Sequence, residues 1–339
     1  MALNHPSNGL QRRLRRLRRG SSVRALVADV TLQKKNFVHP IFVGALAERR
    51  SVPSLPGVWQ WPVEQAIGEV QRLAELGLGG FLFFGVTDES KKDAGGHHAE
   101  DPDSAVLRTL SGVRAARVDA VLIADLCLCE YTDHGHCGPL LPAADGGGHD
   151  SWVVDNDAAL ERLGTVAVAQ AKAGADVVAP SGMMDGQVGA IRRALDAGGY
   201  VQTAILSYAV KYASALYGPF RDAGGGAMSF GDRRGYQMDP ARTREWRSEL
   251  ELDLAEGADM VMVKPAGHYL DIVAKVRGAC DVPVAAYHVS GEYAMVEAAA
   301  EKGWIDRRAS HLEIATGIRR AGADLIVTYA AEDLARWLS

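Results

Sequence analysis

Cysteine is scarce, with four residues in a chain of 339, which is too few for a disulfide scaffold. Three of the four fall between Cys127 and Cys137, a clustering that points to metal binding or reactivity in a reducing compartment, with the cytoplasm as the expected location. Long apolar runs are missing as well. Stretches such as Phe81 to Val86 fall far short of the roughly 18 residues a membrane-spanning helix needs, so no membrane partner is expected. No GxGxxG motif follows an early strand-like run, which removes the usual cue for a doubly wound dinucleotide fold. Acidic residues are absent from positions 1 to 24, where seven arginines stand at 12, 13, 15, 16, 18, 19 and 24. Taking those seven charges from the net charge of −5 leaves −12 for the rest of the chain.

What is present describes a folded globular protein, since 47% hydrophobic and 23% charged residues supply material for a large core. Eight short apolar runs recur: Phe37 to Val43, Gly80 to Phe84, Ala120 to Leu126, Ala175 to Ala179, Tyr200 to Leu206, Met260 to Val263, Val282 to Tyr287 and Leu325 to Tyr329. Each is followed by a segment of helical periodicity. The runs are continuous rather than alternating, as expected of parallel strands buried on both faces and joined by crossover helices. Eight such units predict a (β/α)8 TIM barrel, an α/β fold, over residues 36–339 with an extended N-terminal arm over residues 1–35. A Gly-Ala-Asp junction recurs at 174–176, 257–259 and 322–324, where a helix ends and a strand begins. Glycine suits the left-handed position that ends a helix, so these read as structural turns at the stable end of the barrel.

A basic arm can bind nucleic acid or an anionic surface, and arginine-rich, acid-poor N-termini also resemble organelle transit peptides. The arm lacks the apolar core of a secretory signal and the body is acidic, so no nucleic-acid partner is expected. Packing on a neighbouring subunit is the plainer reading.

In a parallel barrel the chemistry lies at the carboxyl ends of the strands. After the third run comes Asp125-Leu126-Cys127-Leu128-Cys129-Glu130-Tyr131-Thr132-Asp133-His134-Gly135-His136-Cys137-Gly138. A CxC pair and a third cysteine offer three soft ligands for Zn2+ with a fourth position open, the mark of a catalytic site. A closed structural site using His134 or His136 is the alternative. Cys280 stands alone and reads as core. Lys264 ends the Met260 run and Lys211 lies just beyond the Tyr200 run. A lysine that is desolvated or beside a second cation becomes a nucleophile toward carbonyls. Between them, Tyr217 to Gln237 is rich in glycine and carries Arg221 and Arg233, a composition suited to closing over an anionic substrate.

These segments resemble the porphobilinogen synthase family, also called 5-aminolaevulinate dehydratase. The likeness rests on Asp125 to Gly138, on Lys211 with Tyr217-Gly218-Pro219-Phe220-Arg221-Asp222, on Lys264-Pro265, and on Tyr287-His288-Val289-Ser290-Gly291-Glu292-Tyr293, in collinear order from about the arm to Tyr329. It implies a hydro-lyase that condenses two 5-aminolaevulinate molecules to porphobilinogen with loss of two waters. Lys264 then resembles the Schiff-base lysine for one substrate and Lys211 its partner for the other, with Asp125 a proton-transfer or orienting carboxylate. Cys127, Cys129 and Cys137 match the catalytic zinc ligands. Arg221, Arg233 and Gln237 match residues that bind one substrate carboxylate, and Ser290 and Tyr329 those that bind the other. Glu249 aligns with the acid by which many bacterial members hold an allosteric Mg2+ near a subunit interface, and the arm resembles an extension that embraces a neighbour in a homo-octamer built from dimers. One departure is that Ser181 is followed by Gly182 where the family usually has an acid, a place Asp185 or a water would have to fill. A rival reading is a class I aldolase-like barrel with one imine lysine and a structural zinc.

Overall fold

The computed structural model describes residues 13–143, 152–226 and 228–338; Arg12 and the first part of the arm lie outside them. The chain divides into a unit ending at Thr31 and a second unit, Leu32–Ser339. In the first unit a 3-10 turn, Leu14–Arg18, precedes helix α1 (Ser21–Leu26), and neither buries a residue.

In the second unit the strands are β1 (Phe37–Gly44), β2 (Arg50–Ser51), β3 (Trp59–Pro62), β4 (Gly80–Val86), β5 (Leu122–Leu126), β6 (Leu140–Pro142), β7 (Trp152–Val154), β8 (Val177–Pro180), β9 (Ala204–Lys211), β10 (Met260–Lys264), β11 (Val284–His288) and β12 (Leu325–Thr328). The helices are α2 (Val63–Ala74), α3 (Ala105–Ala115), α4 (Asn156–Lys172), α5 (Gln187–Ala197), α6 (Gly218–Gly224), α7 (Glu245–Glu256), α8 (Leu270–Arg277), α9 (Ser290–Glu301), α10 (Arg307–Ala321) and α11 (Ala331–Trp337). Strands β1, β4, β5, β8, β9, β10, β11 and β12 are parallel and lie in that order, and β12 closes back on β1 with Phe37 opposite Ile326. This is the expected eight-stranded barrel, with one strand from each apolar run. The largest shift is in the fifth run, whose strand starts at Ala204 and ends on Lys211 itself. Two short antiparallel pairings, β2 with β3 and β6 with β7, were not anticipated; β3 also runs beside the upper half of β1.

The strands are buried almost throughout because both faces are covered, one by the barrel interior and one by the helices. Helix α2 shows how the outer layer seats itself, burying Val63, Ala66, Val70 and Leu73 at helical spacing. The three Gly-Ala-Asp junctions adopt one arrangement. Gly174, Gly257 and Gly322 take φ of 107°, 106° and 115°, a region costly for other residues. The Asp176 carboxylate accepts from the Leu122 N–H at 2.8 Å, Asp259 from Ile205 at 2.8 Å and Asp324 from Val284 at 3.0 Å. Each of these aspartates also donates its own N–H to the carbonyl of the same partner residue. The repeat therefore clamps neighbouring strands at their amino ends. At the other mouth, His97 and His98 sit in a short turn and pair with Asp93 and Asp101, each at 3.1 Å.

Candidate active site

Lys211 and Lys264 are the last residues of adjacent strands and are direct register partners. The register between β9 and β10 shifts along the way, since Ser207 faces Val261 but Val210 faces Val263. One extra residue at Tyr208 and Ala209 changes which side chains share a face. Ser207 points outward to Asp253 of α7 at 2.5 Å, whereas Tyr208 lies under both amines, its ring 5.6 Å from Lys211 Nζ and 5.1 Å from Lys264 Nζ. Lys264 Nζ is also 4.5 Å from the Tyr287 ring and 5.1 Å from that of Phe220. Burial in this aromatic box, followed by the charge of Lys211, pushes the Lys264 amine down to about 7. Lys211 instead donates to the Ser181 carbonyl at 2.5 Å.

Asp125, at the penultimate position of β5, joins the same cavity together with Cys129, Glu130, Ser181, Arg221 and Arg233. Ser181 Oγ donates to its Oδ2 at 3.1 Å, and its Oδ1 has no partner within the protein. Burial lifts the Asp125 carboxyl to about 6 against the pull of Lys264 and Lys211. Glu130 is buried too; it accepts from the Gly85 N–H at 2.9 Å through Oε2, and burial holds its carboxyl well above the usual range. Sequence reasoning gave no role to Glu130, Ser181 or Tyr208. The signal for Glu130 was its place inside the cysteine loop, whereas Tyr208 depends on the β9 bulge, which no side-chain pattern announces.

Cys127, Cys129 and Cys137 converge with all three sulfurs within 4.8 Å of one another, the only such group of potential ligands among the described residues. The Cys127 and Cys129 sulfurs are 3.3 Å apart and all three side chains are buried. Contacts with Cys127 and Cys129 hold the Cys137 thiol well below its usual value, and contacts with Cys129 and then Cys137 hold Cys127 well above. A donor set of three buried, touching sulfurs fits a soft, borderline metal ion. The histidines stand aside. His134 is engaged by Ala94 O and the His136 N–H, and His136 by Tyr236 OH and Phe230 O, at 3.1 to 3.3 Å. Neither histidine joins the three sulfurs among the described residues.

Arg221 on α6 and Arg233 in the loop beyond it face this cavity. Burial opposes the charge on Arg233, but Cys129 and Cys137 outweigh it and hold the guanidinium well above its usual value. It donates to Gly135 O at 3.0 Å, tying the loop to the cysteine segment. Burial and then Arg233 lower Arg221. Gln237, Ser290 and Tyr329 do not line this cavity. Gln237 is buried with its Nε2 unpartnered, Ser290 Oγ accepts from the Phe220 N–H at 3.1 Å, and Tyr329 OH meets Tyr287 OH at 3.1 Å. Glu249 is elsewhere, on α7, where burial and then Asp253, Asp185 and other acids push its carboxyl up to about 7.

The delta-aminolevulinic acid dehydratase family profile matches residues 11–337. The chain belongs to this family. Delta-aminolevulinic acid dehydratases of Streptomyces coelicolor and Synechococcus elongatus are 53% and 49% identical to it, each over 96% of this chain and at least 97% of their own length. A solved delta-aminolevulinic acid dehydratase (porphobilinogen synthase) of Toxoplasma gondii, in complex with the reaction product porphobilinogen, has a TM-score of 0.92 and 40% identity, covering 99% of this chain and 95% of that one. The protein is thus a hydro-lyase with porphobilinogen synthase activity, in the route to porphyrins. Gly182, where the resemblance leads one to expect an acid, has room for a side chain, with Gln187, Cys137 and Met184 at 3.6, 3.8 and 3.8 Å from an added Cβ. Asp185 is exposed, with its N–H donating to Asn156 Oδ1 at 2.9 Å.

Proposed function

We propose that Lys264 and Lys211 each form a Schiff base with one 5-aminolaevulinate, and that Asp125 moves the protons. The observation that carries this reading is the register pairing of two buried lysines at the carboxyl ends of β9 and β10. An amine titrating near 7 has about half of its population free of the proton at neutral pH, so Lys264 Nζ can add to the keto carbon. A proton delivered to the resulting hydroxyl lets water leave and an imine form. Asp125, titrating near 6 within the same cavity, can give and take that proton. The protonated imine then acidifies the adjacent carbon and opens the route to carbon–carbon bond formation. Tyr208 and Tyr287 accommodate its positive charge by their ring faces.

Arg221, Arg233 and Gln237 bind one substrate carboxylate in this reading. Ser290 and Tyr329 bind the other, Ser290 Oγ turning its hydrogen from Leu216 O, and Tyr329 OH leaving Tyr287 OH, for a substrate oxygen. Cys127, Cys129 and Cys137 would hold Zn2+, which would supply Lewis acidity there. Glu249, in its acidic setting on α7, is the candidate ligand for an allosteric Mg2+. The arm of residues 1–35 embraces a neighbouring subunit in a homo-octamer of dimers. No helix among the described residues is long and apolar enough to cross a membrane.

The test is colorimetric detection of porphobilinogen from 5-aminolaevulinate, with and without a chelator, coupled to borohydride trapping and peptide mapping. The reading requires substrate mass on Lys264 and loss of turnover with the metal. Labelling confined to other lysines would overturn it.

A further inference from the structure

The wall of the cavity formed by α6 carries Phe220 and Arg221, yet α6 is a single short helix followed by Gly225 and Gly226. Its carbonyl end has no following turn to bond with, so its acceptors must be met from outside. Two are met by side chains from separate parts of the barrel rim. Gln60 of β3 donates its Nε2–H to Ala223 O at 2.7 Å, and Lys92, in the loop after β4, donates its ammonium to Gly225 O at 2.8 Å. The Lys92 side chain is only 4% exposed. Its other partner is Glu89 at 2.6 Å, whose own side chain is 80% exposed. Gly225 takes a left-handed φ of 64°, so the chain can bend away at this point with little steric resistance.

We propose that Lys92 and Gln60 are positioning residues that latch α6 over the two lysines and so set substrate affinity without touching substrate. Lifting α6 away strips a buried ammonium of its carbonyl and leaves it with an exposed carboxylate alone, while Gln60 loses its only acceptor contact with the helix. Seating α6 restores both bonds and brings Phe220 and Arg221 into the cavity. The inference rests on the assignment of that cavity as the porphobilinogen synthase site. Hydrogen bonds to charged groups are strong enough that losing one shifts a two-state equilibrium by ~10-fold or more. Apparent affinity falls in proportion to the seated fraction, whereas turnover of the saturated complex does not.

The experiment compares Lys92→Met, Gln60→Leu and Lys92→Arg in the full-length enzyme. Substrate-free hydrogen exchange is read at amides of residues 218–225, and KM and kcat are read with 5-aminolaevulinate. In Lys92→Met, exchange in α6 is expected to rise by ~10-fold with the amides of β10 and β11 unchanged, and KM to rise by a factor between one and that figure with kcat within about twofold. Gln60→Leu should show a smaller effect of the same kind, and Lys92→Arg should restore both readouts. Unchanged α6 exchange in Lys92→Met, or a fall in kcat at constant KM, would overturn the latch. Exchange needs no substrate, so it tests the latch even in a protein that made no porphobilinogen, and turnover by the unaltered enzyme tests that assignment separately.

Discussion

At the amino ends of the barrel strands, Asp176, Asp259 and Asp324 each close two hydrogen bonds to one residue of a neighbouring strand. At the carboxyl ends, Asp125 Oδ1, Glu130 Oε1 and Arg233 Nε are buried with no partner in the protein. The same eight strands thus end in two kinds of environment. Satisfied polar groups stabilise the first mouth. Groups left with bonding capacity at the second are costly to the fold, and they persist where a reacting molecule will use them. The comparison separates residues by what their loss should do: at one mouth stability falls and chemistry survives, at the other the reverse.

The sharpest test is Lys264→Met. Turnover should fall by at least about 10⁴-fold, with no borohydride adduct at position 264. Stability should rise, because a buried amine is removed. Its folded pKa lies below its unfolded value, so its cost is full below about pH 7 and fades as pH rises toward the ordinary lysine value. The gain in melting temperature should therefore be larger at pH 6 than at pH 9; a variant that melts earlier than its parent at pH 6 would break the comparison. Next in size, Cys137→Ser should cut activity by about 10²-fold or more and lower bound zinc measured by elemental analysis, with the barrel intact by circular dichroism. The third effect is a shift rather than a loss. Trapping at Lys264 should increase with pH through a midpoint near 7, and Lys211→Met should move that midpoint upward by removing the neighbouring positive charge. An unmoved midpoint would leave burial as the sole cause. The smallest effect belongs to the opposite mouth. Asp324→Ala, which frees Val284 N–H and Arg277, should cost about 1–2 kcal/mol in denaturant unfolding while kcat/KM stays within about twofold.

Much of this contrast was legible in the residues. Continuous apolar runs identified the strands because burial on both faces demands them, and the repeated Gly-Ala-Asp read as turns because glycine alone fits their backbone cheaply. That the aspartate of the repeat is a strand clamp was not legible, since its partner lies some 40 to 54 positions away. The cysteine loop was recognisable from spacing, but whether His134 or His136 completes the set depended on where their nitrogens point. Lys211 was expected beyond its strand and ends it instead, because the strand continues through Tyr208 to Lys211 against β10. Gln60 and Lys92 carried no motif for a latch, because their partners are backbone carbonyls that any residue could offer.

The order of residues along the chain determined the number of strands, the turns that join them and the chemical types available at their ends, because these follow from local periodicity and side-chain chemistry. Only the closed barrel decided that two lysines 53 positions apart share a register and one aromatic box. Proximity and desolvation are properties of folded space. An amine in water keeps its proton, and the lowered affinity for it at Lys264 arises when the ring of strands excludes solvent and seats a second cation alongside.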